Sequence, residues 1–244
     1  MKNEKILAVT GASSDVGVAL LRRIGSRYSA IAAHYRHSPE RLEGLDRELG
    51  GRIVPIQADF ADESSTQAFL EQIAQKGLMP DHFVHLAALP LRNVKFQKSS
   101  WQDFEQELSV SFRAAVLCSQ AFLPHMAKQR YGKAVFMLSS YVVNQPQIKY
   151  AAPYSSVKYA LLGLMKVLAA EYAEKGVTVN GVSPSMMETK FLSQVPKLVV
   201  EKNAMESPMR RNLLPEDVVP ALEFLLSDGA DCVTGQNLAV TGGN

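Results

Sequence analysis

Cysteine, tryptophan and net charge are all scarce in this 244-residue sequence. The two cysteines, Cys118 and Cys232, lie far apart and match no metal-ligand spacing, so buried reduced thiols are expected and no metal is assigned. Lys and Arg total 26 against 24 Asp and Glu, and the resulting net charge of +2 offers no electrostatic case for nucleic acid. Uninterrupted apolar runs of the ~18 residues that a membrane helix needs are missing. The opening Met1-Lys2-Asn3-Glu4-Lys5 leads into an apolar stretch, Ile6 to Val9, too short for the core of a signal peptide. A cytoplasmic protein without membrane or nucleic-acid partners is therefore expected. Repeats, low-complexity runs and linkers that would divide the chain are also missing. With 47% apolar and 20% charged residues, the composition suits a single domain over 1–244 with a sizeable core.

Short apolar runs alternate with longer helical patterns. Residues 6–9, 30–33, 53–56, 83–86, 134–138, 177–180 and 237–240 read as strands, most of them buried on both faces. Between them, 16–24, 63–73, 103–126 and 155–174 carry apolar residues at helical spacing. In the last, Val157, Leu161, Leu164, Met165 and Leu168 form one stripe. This alternation implies βαβ units and an α/β, doubly wound parallel sheet of about seven strands with helices on both faces. The irregular stretch 186–209, rich in Met, Ser and Pro, is either a surface excursion or a substrate lid beside the site.

Thr10-Gly11-Ala12-Ser13-Ser14-Asp15-Val16-Gly17 joins the first strand to a helix. A glycine at the strand end permits a tight turn, and backbone N–H groups with a helix N-terminus attract a pyrophosphate. This predicts a dinucleotide seat at Gly11, Ser13, Ser14, Asp15, Val16 and Gly17. Asp15 stands where such turns usually carry a second glycine, and capping of the helix would reconcile its carboxylate with a phosphate. The second strand ends in His34-Tyr35-Arg36-His37, without the acidic residue that holds the ribose 2′-OH of NAD. Arg36 offers a charged fork suited to a 2′-phosphate and so favours NADP(H); the alternative is a solvated arginine.

Tyr154 and Lys158 lie one helical turn apart, on one face. A cation beside a phenol favours the phenolate and is expected to lower the Tyr154 pKa, making it a general acid/base. The pair follows the fifth strand, which ends in Ser139-Ser140. Ligands bind at the carboxyl ends of strands in open parallel sheets.

These features resemble the short-chain dehydrogenase/reductase family, closest in pattern to its 3-oxoacyl-carrier-protein reductases. The resemblance extends through Leu123-Pro124-His125-Met126, Gly132, Asn180-Gly181-Val182-Ser183-Pro184, Glu188-Thr189, Leu214-Pro215-Glu216-Asp217-Val218, Val233-Thr234-Gly235-Gln236 and Gly242-Gly243. It implies a Rossmann domain that holds cofactor and catalytic site together. Tyr154 is then the general acid/base, Lys158 lowers its pKa and holds the nicotinamide ribose, and Ser140, with Ser139 as the alternative, binds the substrate oxygen. Asp59 contacts the adenine, Thr189 and the backbone after Pro184 hold the carboxamide, and Ala87 and Met187 complete the cofactor set. A homotetramer or homodimer is implied as well.

Three departures stand out. The family's Asn-Asn-Ala-Gly after the fourth strand is His85-Leu86-Ala87-Ala88, its helix asparagine aligns with Ser111, and its Pro-Gly is Pro184-Ser185. Ser111 is expected to orient a water in the proton relay, and His85 to be a hydrogen-bonded structural group. The expected activity is NADPH-dependent reduction of a carbonyl, a 3-oxoacyl thioester or related ketone. The alternative is an NADP-binding sensor or scaffold with little catalysis. An acyl-carrier-linked substrate would need basic surface, for which Lys128, Arg130, Lys133, Arg210 and Arg211 are the candidates.

Overall fold

A computed structural model of the chain describes residues 5–143 and 149–243. Seven parallel strands form one sheet in the order β3-β2-β1-β4-β5-β6-β7. They are β1 Ile6–Thr10, β2 Ala30–Tyr35, β3 Ile53–Gln57, β4 His82–His85, β5 Gly132–Met137, β6 Val177–Pro184 and β7 Asn237–Val240. Every residue of β4, β5 and β6 is buried, as expected for strands covered on both faces. β7, at the sheet's edge, is half-exposed.

The order reverses between β1 and β4, since β2 and β3 extend to one side and β5 to β7 to the other. That reversal opens a crevice at the carboxyl ends of β1 and β4, where doubly wound folds take their ligands.

Among the described residues, eight α-helices flank the strands: α1 Asp15–Ile24, α2 Pro39–Glu48, α3 Glu63–Gln75, α4 Trp101–Glu107, α5 Ala114–Gln129, α6 Ala152–Tyr172, α7 Lys197–Glu206 and α8 Pro215–Leu226. α3, α5 and α6 pack one face of the sheet through Phe69, Ile73, Phe122, Val157, Leu161 and Met165. α1, α2 and α8 pack the other through Leu20, Leu21, Leu42, Leu45, Val219 and Leu222. The helix expected over 103–126 is α4 and α5 joined by a π-helical turn, Leu108–Arg113. α2 escapes an apolar-spacing search because Leu42 and Leu45 are its only buried side chains. Cys118 is buried as expected, whereas Cys232 is exposed. No described helix is long and apolar enough to cross a membrane.

Candidate active site

The turn after β1 is built around Gly11, whose φ of +67° is open to glycine at little cost. His34, at the end of β2, fastens it. Gly11 N–H donates to His34 Nδ1 at 2.9 Å, and His34 Nε2 donates to the Ala58 carbonyl at 3.1 Å. A carbonyl only accepts, so these partners fix the tautomer. Burial lowers the His34 pKa to about 4, so the ring stays neutral. Gly17 lets α1 sit against the turn: a Cβ there would lie 2.4 Å from the Ala12 carbonyl oxygen.

Asp15 is not the cap of α1. Ser14 holds that position, its Oγ accepting from Gly17 N–H at 3.1 Å, because Ser14 alone has the extended backbone a cap requires. Asp15 is the first residue of the helix. One carboxylate oxygen meets Arg41 of α2 at 2.8 Å, and the other accepts from Lys190 N–H at 2.8 Å. Arg41 also donates to the Ser13 carbonyl at 2.7 Å. The carboxylate is thus neutralised at the mouth of the turn by a residue that no motif pointed to. Val16 begins the helix interior and is buried. Arg36 pairs with Asp59 at 3.0 Å, across the ends of β2 and β3, with both side chains open to solvent. The proposed 2′-phosphate and adenine residues therefore meet at one rim.

Tyr154 and Lys158 both face inward from α6, only 8% and 3% exposed. Lys158 Nζ lies 5.4 Å from the centre of the Tyr154 ring and donates to the Met137 carbonyl at 2.7 Å. The hydroxyl hydrogen-bonded to the Tyr154 phenol belongs to Ser139, not Ser140. Ser139 continues β5 in extended conformation, whereas Ser140 starts a 3₁₀ turn. Burial raises the Tyr154 pKa above that of a free phenol, against a lowering from the Ser139 hydrogen bond. This reverses the expected lowering by Lys158. Desolvation of the buried phenol dominates, while one of the three Lys158 N–H donors is taken up by the Met137 carbonyl. Burial also lowers the Lys158 pKa to about 8.

Ser111 lies in the π-turn, buried, and its carbonyl accepts from His85 Nε2 at 2.8 Å. His85 Nδ1 accepts from the Thr10 hydroxyl at 2.8 Å, and the same hydroxyl oxygen accepts from Leu86 N–H at 3.2 Å and Ala87 N–H at 3.4 Å. Buried and held neutral, with a pKa lowered to about 3, His85 ties the end of β1 to the π-turn. Ala87 follows β4 against Gly11. Pro184 ends β6. Met187 bridges to Leu213, and Thr189 Oγ1 donates to the Met187 carbonyl at 3.5 Å. Beyond Thr189 the chain crosses the crevice, with Leu91 N–H donating to the Phe191 carbonyl at 2.9 Å. The Phe191 ring then lies 5.6 Å from that of Tyr154.

A family model described as enoyl-(acyl carrier protein) reductase matches residues 11–244. The chain belongs to the short-chain dehydrogenase/reductase family. It is 29% identical to a 3-oxoacyl-(acyl-carrier-protein) reductase of Staphylococcus aureus, over all of this chain and 99% of that one. Among solved structures it resembles the 3-oxoacyl-(acyl-carrier protein) reductase of Brucella melitensis, with a TM-score of 0.88 and 26% identity over 99% of this chain and 91% of that one. It also resembles ElxO with NADP bound, with a TM-score of 0.85 and 25% identity over 98% of each chain. It is an oxidoreductase of this family, whose members use nicotinamide cofactors.

Against the short-chain dehydrogenase/reductase pattern, sequence reasoning missed His34, Arg41 and Glu107. His34 sits in a strand that reads as merely apolar, and Arg41 lies in a helix with little periodicity. Glu107 ends α4 with its side chain buried, and burial raises its pKa to about 7 against the pull of Lys158. The candidate basic surface is also reduced. Lys133 is buried in an ion pair with Asp231 at 2.5 Å, and Arg211 is paired with Asp217.

Proposed function

We propose that this chain reduces a carbonyl to an alcohol with NADPH, and that the carbonyl belongs to a 3-oxoacyl thioester or a related ketone. The observation that carries the reading is the convergence of three buried side chains, Tyr154, Lys158 and Ser139, where α6 meets the end of β5. The cofactor fits the residues present. Gly11 and Gly17 keep the turn tight, the α1 N-terminus and the Ser13, Ser14 and Val16 backbone suit a diphosphate, and Asp15 is already neutralised. Arg36, with Arg41 nearby in α2, suits a 2′-phosphate. Asp59 would take the adenine, Ala87 the ribose side, Lys158 the nicotinamide ribose, and Pro184, Met187 and Thr189 the carboxamide. When bound, the nicotinamide supplies the hydride.

Ser139 donates to the substrate carbonyl oxygen and orients it. Tyr154 gives its phenolic proton to that oxygen as charge develops there. Its raised pKa makes the hydroxyl a poor acid in isolation, so the nearby Lys158 ammonium is needed to stabilise the phenolate left behind. Phe191 and Tyr141 flank the phenol and exclude water. Residues 186–209 act as the substrate lid, and within this reading the enzyme is a cytoplasmic homodimer or homotetramer.

The test is to supply purified protein with NADPH and, separately, NADH, using a β-ketoacyl thioester as acceptor. NADPH is consumed faster, and Tyr154→Phe loses ~10²–10⁴-fold in turnover. Undiminished NADPH oxidation by that variant removes the assignment. Tight NADPH binding without consumption across a carbonyl panel would identify a sensor instead.

A further inference from the structure

The small cavity lined by Tyr154 mixes apolar and polar side chains. Leu89 and Val94, from the loop after β4, and Pro153, in the first turn of α6, are its apolar members. Glu107, at the end of α4, and Ser99, next to the Ser100 cap of that helix, are polar members. Arg92 and Asp103 line it too, and they satisfy each other in an ion pair. Glu107 Oε2 and Ser99 Oγ are not satisfied: both atoms are buried without a hydrogen-bond partner among the described residues.

Glu107 is the sharper case, since it is only 6% exposed. Burying a polar atom without a partner is unfavourable, so such atoms are few in native folds and each calls for an explanation. Charged or protonated, a carboxyl keeps lone pairs that accept hydrogen bonds. The group that completes Oε2 is therefore a donor. An ammonium would bring three donors, and the cavity's other carboxylate, Asp103, is already committed to Arg92. A hydroxyl brings one donor and needs one acceptor.

We propose that Glu107 is a specificity-determining residue of this site: it accepts a hydrogen bond from a hydroxyl on the carbonyl substrate, which is a compact hydroxy-ketone with an otherwise apolar body. The proposal rests on the reading of Tyr154 as the general acid, and it narrows the class of carbonyl given there. Tyr154 and Glu107 line the same cavity, so one small molecule can present its carbonyl to the phenol and its hydroxyl to the carboxyl. Leu89, Val94 and Pro153 then cover the hydrocarbon between the two polar groups. A plain alkyl or acyl chain in this cavity would leave Glu107 Oε2 and Ser99 Oγ both unmet. A site with an acceptor waiting discriminates against the analogue that lacks the donor, because the acceptor is then dry and unpaired.

The test measures kcat/KM at saturating NADPH for cyclohexanone and for each hydroxycyclohexanone isomer, with the full chain, Glu107→Gln and Glu107→Leu. In the parent, at least one isomer should exceed cyclohexanone by about 10–100-fold, mostly through KM. Glu107→Leu should bring that ratio close to one, and Glu107→Gln, whose amide oxygen still accepts, should fall between. The ratio is taken within one protein, so a variant that only loses active enzyme lowers both rates together and leaves it unmoved. Should the leucine variant fail to fold, the near-isosteric glutamine variant still reports. A parent ratio near one overturns the proposal, as does a preference undiminished in the variants. Reduction of a β-ketoacyl thioester without turnover of any cyclohexanone overturns it as well. If the parent oxidises neither NADPH nor NADH with any carbonyl, the reading of Tyr154 falls and takes this proposal with it. That failure shows before any variant is made, and so is distinguishable.

Discussion

Two adjacent serines follow β5, and their backbone conformations set them apart. Ser139 remains extended and reaches Tyr154, while Ser140 begins a 3₁₀ turn. Spacing from the tyrosine cannot decide between them, because a loop inserted between strand and helix changes the count without changing the geometry. Ser139→Ala should therefore cut kcat for carbonyl reduction by about 10²-fold or more, and Ser140→Ala by far less, measured side by side at saturating cofactor. Equal losses would mean that both hydroxyls reach the substrate. Arg41 and Glu107 were unreadable for a related reason. A charged residue in a weakly periodic helix looks like solvated surface until the fold shows what it faces.

At the scale of elements, the strands, the first turn and α6 were legible because each leaves a periodic or compositional mark. Buried parallel strands read as apolar runs, and α6 carries an apolar stripe. The break between α4 and α5 left none, since a π-turn keeps helical composition while shifting register by one residue. Asp15 was misjudged as a cap because Ser14 and Asp15 are both good capping types, and only φ and ψ distinguish them. The packing of α1 on the turn has a measurable consequence. A methyl at Gly17 would meet the carbonyl oxygens of Ala12 and Gly11 at 2.4 and 2.7 Å, which are backbone atoms that cannot rotate away. Gly17→Ala should cost about 1–3 kcal/mol in urea unfolding and weaken cofactor binding at the same time. An unchanged midpoint would show that α1 can shift freely.

For the molecule as a whole, three buried histidines set the response to acid. Burial lowers His34 to about 4, and His82 and His85 to about 3, each from 6.5. A depressed folded pKa gives stability that is present above the unfolded value and lost as pH falls toward the folded one. Between pH 7 and 5, each should remove roughly 2 kcal/mol. Glu107, raised from 4.5 to about 7, works in the opposite sense over part of that window. Urea unfolding at pH 7, 6 and 5 should show a net fall of several kcal/mol; a flat profile would mean that these rings are protonated in the fold. The outer face of α6 bears on assembly. Tyr159, Gly163 and Val167 form an exposed stripe, and Val167 is 63% exposed. Light scattering should give the mass of a dimer or tetramer, and Val167→Glu should lower it; a monomeric parent would end that reading.

The strap beyond Thr189 is stitched at two points: Lys190 to Asp15 on one bank of the crevice, and Phe191 to Leu91 on the other. If residues 186–209 act as the proposed lid, a molecule seated beneath it is held from both sides, and its departure should require both stitches to part. Traffic through the crevice should then be governed by one shared door, and Asp15→Ala, which frees one bank, should speed release of whatever the crevice holds.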